Sequence, residues 1–328
     1  MTISLARATA TETSAAGDSA LFSHRSPLRV LPELGVGHRL HEALDKAAGL
    51  RQMVAALGPK GIGKSVRLSA AVNWFALLEK ERAKEDQRYA PQTVRVIRNA
   101  RHLSYDDALI SLLQSLDRRT PIREQGRRRS MDVVRQAICA LLDTKRVAAL
   151  VLDECEVANE GVINAVRDVA ALSADLARER QGDSDEEQAL GVGILFVGSP
   201  DTESVLRRNS EFGQRLVEVV HLPALTIAEA NRVLQEWLPL ATEFQGAERL
   251  QWNELVRTGI CRDRETVMRY LANLVREYAR RMDRAQRLLG VRSWSEMPVD
   301  LEVLREVAAD LVPPDLDATP RKRRARRA

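Results

Sequence analysis

The run Gly58-Pro-Lys-Gly-Ile-Gly-Lys64-Ser65 fits the pattern G-x-x-x-x-G-K-[ST], and no other stretch of the 328 residues restricts the fold as strongly. Such a loop needs a strand before it and a helix after it. Its backbone N–H groups must converge on one anion, and the positive end of the following helix must face the same point. Both flanks are present. Met53-Val-Ala-Ala-Leu57 is a short apolar run of strand type, and Ser65 to Glu85 carries a helical pattern. Gly58 and Gly63 let the chain turn tightly, so that Pro59, Lys60, Gly61, Ile62 and Val66 surround a phosphate chain together with the motif residues. The Lys64 ammonium then sits between the β- and γ-phosphates of ATP, and the Ser65 hydroxyl ligates Mg²⁺. A Gly-rich turn ahead of an ordinary helix is the plain alternative, and the preceding strand weighs against it.

Ala148-Ala-Leu-Val-Leu-Asp153-Glu154 is an apolar run ending in two acids, the form of a strand buried on both faces with its tip at a site. Asp153 would hold Mg²⁺ through water, and Glu154 would polarise the attacking water. Alternatively, the two acids cap a helix beginning near Glu156. Between the two motifs there is room for helices and one more strand, Thr93-Val-Arg-Val-Ile97. An inserted strand of this kind marks the nucleoside triphosphatases whose catalytic Glu follows the metal-site Asp.

A fourth strand, Gly191 to Gly198, ends at Ser199-Pro200. Ser199 reads equally as a sensor of the γ-phosphate or as a turn former ahead of Pro200. Asn99, at the tip of the second strand, either restrains Glu154 or is a turn residue. Arg207, Arg208 and Arg215 precede a fifth apolar segment, Leu216 to Val220. In a ring or filament this region faces the neighbour's nucleotide. Arg215 is the favoured finger for the transferring phosphate, a solvated surface arginine being the alternative.

Gly58 to Ser65, Leu150 to Glu154, Phe196 to Ser199 and Glu211-Phe-Gly-Gln-Arg215 together resemble the AAA+ ATPases that assist DNA transposition, of the TniB, TnsC, MuB and IstB kind, over roughly residues 35 to 280. The resemblance implies a three-layer α/β sandwich with a parallel five-stranded sheet and a C-terminal helical lid. It also implies an ATPase that assembles as a ring or filament on duplex DNA and recruits or activates a transposase or target-selection protein. AAA+ proteins often place an arginine at the lid's long helix that reaches back to the phosphates. Arg262 or Arg264 would fill that role, exposed surface arginines being the alternative. Two departures are Glu156, where many TniB-like proteins carry His, and the polar insert Arg180 to Gln188.

Net charge is +4, yet Arg321, Lys322, Arg323, Arg324, Arg326 and Arg327 alone contribute +6, so the basic balance belongs to a tail and the rest is slightly acidic. Those cations follow the proline-rich Val312 to Pro320 and suit phosphates, a solubilising terminus or an acidic protein. A second basic cluster, Arg123 to Arg129 with Arg127, Arg128 and Arg129 at its end, reads as a loop between helices that either faces DNA or is solvated.

Four organisational units follow: a disordered leader over 1–25, an ATP-binding core over 26–222, a helical lid over 223–312 and a disordered basic tail over 313–328. Lid helices are expected over Thr226 to Leu240, Ala247 to Arg257, Asp263 to Leu289 and Leu301 to Leu311, with Thr226 and Glu229 forming a capping box. No apolar run approaches the ~20 residues that span a bilayer, and the Ala/Ser/Thr-rich start lacks the apolar core of a signal peptide. Cys139, Cys155 and Cys261 show no metal spacing, which fits a reducing bacterial cytoplasm. A second class stays open: an AAA+ switch or motor that acts on a protein partner without DNA.

Overall fold

A computed structural model describes residues 35–98, 103–117, 123–124, 127–128, 130–181, 191–208, 216–262, 264–289 and 299–311. In chain order, helix α1 (Gly35–Gly49) leads to strand β1 (Met53–Leu57), helix α2 (Lys64–Glu85), strand β2 (Thr93–Ile97) and helix α3 (Tyr105–Leu116). A small antiparallel hairpin follows, β3 (Arg123–Glu124) with β4 (Arg127–Arg128). Then come α4 (Met131–Thr144), β5 (Val147–Asp153), α5 (Glu160–Gln181), β6 (Gly193–Gly198), α6 (Asp201–Arg208) and β7 (Leu216–His221). Helices α7 (Ile227–Trp237), α8 (Gly246–Glu254), α9 (Met268–Leu289) and α10 (Leu301–Asp310) complete the described chain.

The main sheet has five strands in the order β2-β5-β6-β1-β7, all parallel. The strand that ends in Asp153 therefore does not touch β1; β6 lies between them. Leu57 pairs with Gly198, and Asp153 pairs with Val197, so the C-terminal tips of β1, β6 and β5 end side by side. In an open parallel sheet that edge is where ligands bind.

Side chains alternate along each strand, and both faces are covered. Val54, Ala56, Val151, Leu195 and Val197 join a core with α1, α2 and the C-terminal helices. Ala55, Leu57, Leu150, Leu152, Ile194 and Phe196 join another with α3, α4 and α5. Every residue of β5 and β6 is buried, and each large aliphatic side chain so placed contributes roughly 1.5–3 kcal/mol.

Helix α1 packs so closely on β6 that a Cβ at Gly193 would stand 1.8 Å from the Ala47 carbonyl oxygen. Lys46 fastens the same helix to the edge strand β7 through Glu218 at 2.7 Å. Gly193→Ala is expected to force helix and sheet apart, lowering stability by about 3 kcal/mol, at the upper end of overpacking costs. Urea unfolding checks this; an unchanged midpoint would contradict the packing.

Several element boundaries differ from the sequence reading. The fourth strand starts at Gly193, not Gly191. The basic cluster is not a loop throughout, since Arg123–Glu124 pairs with Arg127–Arg128. The acids at the tip of β5 do not open a long helix, because Cys155–Val157 forms a single 3₁₀ turn and α5 begins at Glu160. The Thr226–Glu229 capping box forms, but α7 ends at Trp237 and a separate 3₁₀ turn begins at Pro239, a residue with no N–H to continue the ladder. Helix α8 ends at Glu254 and its direction continues as a π-helical turn, Leu255–Ile260. Helix α9 begins at Met268, not Asp263, because Leu225 and Thr266 exchange backbone hydrogen bonds of 2.8 and 2.9 Å and hold the approach extended. The proposed leader 1–25, residues 182–190 of the polar insert and the tail 313–328 lie outside the described residues.

Candidate functional site

The loop Gly58 to Ser65 joins β1 to α2 at the sheet's C-terminal edge. Gly61 and Gly63 adopt left-handed backbone, φ 87° and 86°, which turns the chain into the helix. Gly58 does not need that freedom. Its requirement is space, because a Cβ there would lie 2.6 Å from the Leu222 carbonyl oxygen. The Gly58 amide donates to the Gly198 carbonyl at 3.0 Å, fixing the start of the loop against the tip of β6. Ile62 is buried, whereas the Lys60 and Val66 side chains are exposed, so what these positions offer a ligand is main-chain N–H.

Lys64 is buried and donates through Nζ to the carbonyls of Gly58 and Pro59 at 2.9 and 3.0 Å. Burial pushes its ammonium below the ordinary lysine range, opposed by the fields of Glu156, Asp153 and Glu154. A cation held this way, among carboxylates and on loop carbonyls, has partners it can exchange for phosphate oxygens.

Asp153 is 3% exposed, and burial raises its carboxyl above the usual carboxylate range. The Ser65 hydroxyl, the Glu154 amide and Arg98 favour the ionised form. The Glu154 amide donates to Asp153 Oδ1 at 3.0 Å, and Arg98 Nε stands 3.7 Å from Oδ2. Among the described residues no group of three or more His, Cys, Asp or Glu side chains is arranged to hold a metal. Mg²⁺ in a phosphate site needs only one or two protein oxygens beside substrate oxygens and water, and the Ser65 hydroxyl with the Asp153 carboxylate fits that requirement. Glu154 sits in left-handed backbone, φ 60° and ψ 44°, at a cost of roughly 1–3 kcal/mol for a non-glycine residue. Its carboxylate lies close enough for its field to act on the Lys64 ammonium.

Ser199 is buried at the tip of β6, and its hydroxyl has no hydrogen-bond partner among the described residues. Its carbonyl accepts from the Thr202 amide at 3.0 Å, so Ser199 also forms the turn that leads into α6. Its amide donates to Glu156 Oε2 at 3.1 Å, a contact the sequence did not suggest.

Arg262 and Arg264 are exposed in the turn before α9, Arg262 with φ 53°. Arg269 of that helix does meet the phosphate loop. Its amide donates to the Gly61 carbonyl at 2.8 Å, and its Cβ lies 3.0 Å from where a Cβ on Gly61 would be. The later start of α9 explains the shift, since Arg269 occupies the first turn of the observed helix. On the other side, Glu229 accepts from the Gly35 amide and from the Thr226 amide, each at 3.0 Å. The positive field of the buried Arg67 of α2 also acts on Glu229, so α1, α2 and α7 meet at one carboxylate. Arg207 pairs with Glu203 of its own helix at 2.8 Å. Arg127 and Arg128 belong to the hairpin, which is described through its backbone pairing. Asn99, Arg129, Arg215 and the basic residues Arg321, Lys322, Arg323, Arg324, Arg326 and Arg327 lie outside the described residues.

All three cysteines are buried and unbridged. Burial raises the thiols of Cys139 and Cys261 to about 11 and that of Cys155 well above its ordinary value, so none offers a nucleophile.

Residues 48–206 match the family model of an AAA domain. The fold is similar to that of the Aeropyrum pernix ORC2 protein solved as ADPNP-ADP complexes, with 14% identity, TM-score 0.54, and 86% of this chain and 70% of that one covered. The same protein in its ADP form gives 16% identity and TM-score 0.51, with the same coverage of both chains. None of the curated proteins compared is similar in sequence. No described helix is long and apolar enough to cross a membrane.

Proposed function

We propose, from the premise that this chain carries an AAA+ P-loop fold, that it is an ATPase that assembles on duplex DNA and regulates transposition by recruiting or activating a transposase. The observation that carries the ATPase reading is Lys64 and Ser65 at the loop and the head of α2, with Asp153, Glu154 and Ser199 at the ends of neighbouring strands. ATP bound with Mg²⁺ supplies the phosphoanhydride to be cleaved. Backbone N–H groups of the loop and Lys64 hold its phosphates, Ser65 and Asp153 hold the metal, and Glu154 orients the water. Arg269 from α9 borders the same loop and closes it from the side of the C-terminal helices. Arg215 of a neighbouring subunit is the proposed finger.

The DNA reading rests on the basic tail and on the motif resemblance to transposition regulators. Removing Arg321 to Ala328 takes away six cations. The slope of log affinity against log salt should become shallower by as much as about 5, while basal hydrolysis stays at the parent rate. Fluorescence anisotropy with labelled duplex at several salt concentrations checks this. An unchanged slope would remove the tail from the DNA interface.

A second reading, a nucleotide switch acting on a protein partner, is favoured by one observation. Without the tail the chain carries a small net negative charge, so the overall charge of the body does not draw it to DNA. Hydrolysis indifferent to duplex DNA in both the parent and the truncated chain would favour it.

A further inference from the structure

We propose that Glu156 is a positioning residue: by holding the Ser199 amide it fixes where the tip of β6 presents its hydroxyls, and it ties them to the turn that carries Glu154. The inference rests on the nucleotide-binding reading of the site and deepens it, since the ligand group concerned is the terminal phosphate that distinguishes a nucleoside triphosphate from a diphosphate.

Strands β5 and β6 pair through Asp153 and Val197, so the residues just beyond them have no ladder to keep them in register. Glu156 supplies a link past that point. It stands in the 3₁₀ turn Cys155–Val157, which begins at the left-handed Glu154 and is closed by the Val157 amide on the Glu154 carbonyl at 3.0 Å. From there Oε2 reaches across to the Ser199 amide at 3.1 Å. Gly198 makes that reach possible. A Cβ there would lie 3.2 Å from Glu156 Oε2 and 2.5 Å from Thr202 Oγ1.

Two buried hydroxyls result, Ser199 Oγ and Thr202 Oγ1, each without a hydrogen-bond partner among the described residues. The Thr202 amide bonds the Ser199 carbonyl at 3.0 Å, so the two residues form one turn at the head of α6. Leaving buried hydroxyls unpaired is unfavourable, and the loss is recovered when an acceptor such as a phosphate oxygen arrives. Because Glu156 and Glu154 share a turn, whatever fixes Ser199 also biases the residue proposed to orient water.

The test uses the full chain and two probes, ADP and a non-hydrolysable imido analogue of ATP, each competed against a fluorescent ADP in the presence of Mg²⁺. Glu156→Ala should reduce the preference for the triphosphate over ADP by about tenfold, with ADP affinity held within about twofold. Ser199→Ala should do the same, and the double variant should lose little more, because both act through one contact. Glu156→Gln, which keeps an acceptor oxygen without the charge, should stay within about threefold of the parent. Equal loss of both nucleotides in Glu156→Ala would mark a merely structural role and overturn the proposal, as would additive losses in the double variant. If Glu156→Ala fails to fold, Ser199→Ala with Glu156→Gln still decides: an unchanged triphosphate preference in the first, or a collapsed one in the second, overturns it. No saturable binding of either nucleotide by the parent would instead sink the nucleotide reading, and this inference with it.

Discussion

Lys64→Ala is expected to weaken ATP binding by about 10²- to 10³-fold and to bring hydrolysis below detection, because two or more charge-assisted bonds to phosphate vanish at once. The ammonium is buried, and in the structure it occupies itself with the Gly58 and Pro59 carbonyls. Lys60 is exposed, and Arg98 stands at Asp153 and donates to the Ser69 hydroxyl at 2.7 Å. The fold should survive, since Leu68, Ala71 and Phe75 anchor the same helix in the core. Titration with a fluorescent ATP, alongside thermal unfolding, separates these outcomes. Undiminished binding by a folded Lys64→Ala protein would mean that the loop is not the phosphate site.

Glu154→Gln should behave in the opposite way toward binding. The amide keeps the size of the side chain and the strained turn at φ 60°, but it cannot accept a proton from water. ATP affinity should stay within a fewfold of the parent, while turnover falls by about 10²- to 10⁴-fold, the range of a lost general base. The protein should then accumulate in its ATP-bound form, and any assembly driven by ATP should persist after the parent's has decayed. Steady-state phosphate release and binding measured on the same sample check both halves. Turnover at the parent rate would take Glu154 out of that role.

The parts of the site legible in the sequence are those written in consecutive residues. Gly58 to Ser65 with its preceding strand, and the apolar run into Asp153 and Glu154, each carry their structure locally. The strand expected between them, Thr93 to Ile97, is observed as β2, paired with β5 at one edge of the sheet. What stayed hidden depends on contacts between distant segments. The Glu156–Ser199 bond joins residues that meet only because β5 and β6 are neighbours. The contact of Arg269 with the loop is hidden because helical spacing continues back to Asp263, whereas the Leu225–Thr266 bridge delays the helix to Met268. The local pattern at Gly58 suggests a turn, whereas its constraint is the approach of Leu222, which no local pattern announces.

The measurement that bears most directly on nucleotide-driven assembly is ATP hydrolysis by the full chain with and without duplex DNA, with particle size followed by light scattering at low and moderate salt. Growth into large DNA-bound particles only when ATP is present, with hydrolysis responding to DNA, is the expected result. ATP binding with neither rate nor size responding to DNA would contradict the transposition-regulator reading and point to a protein partner.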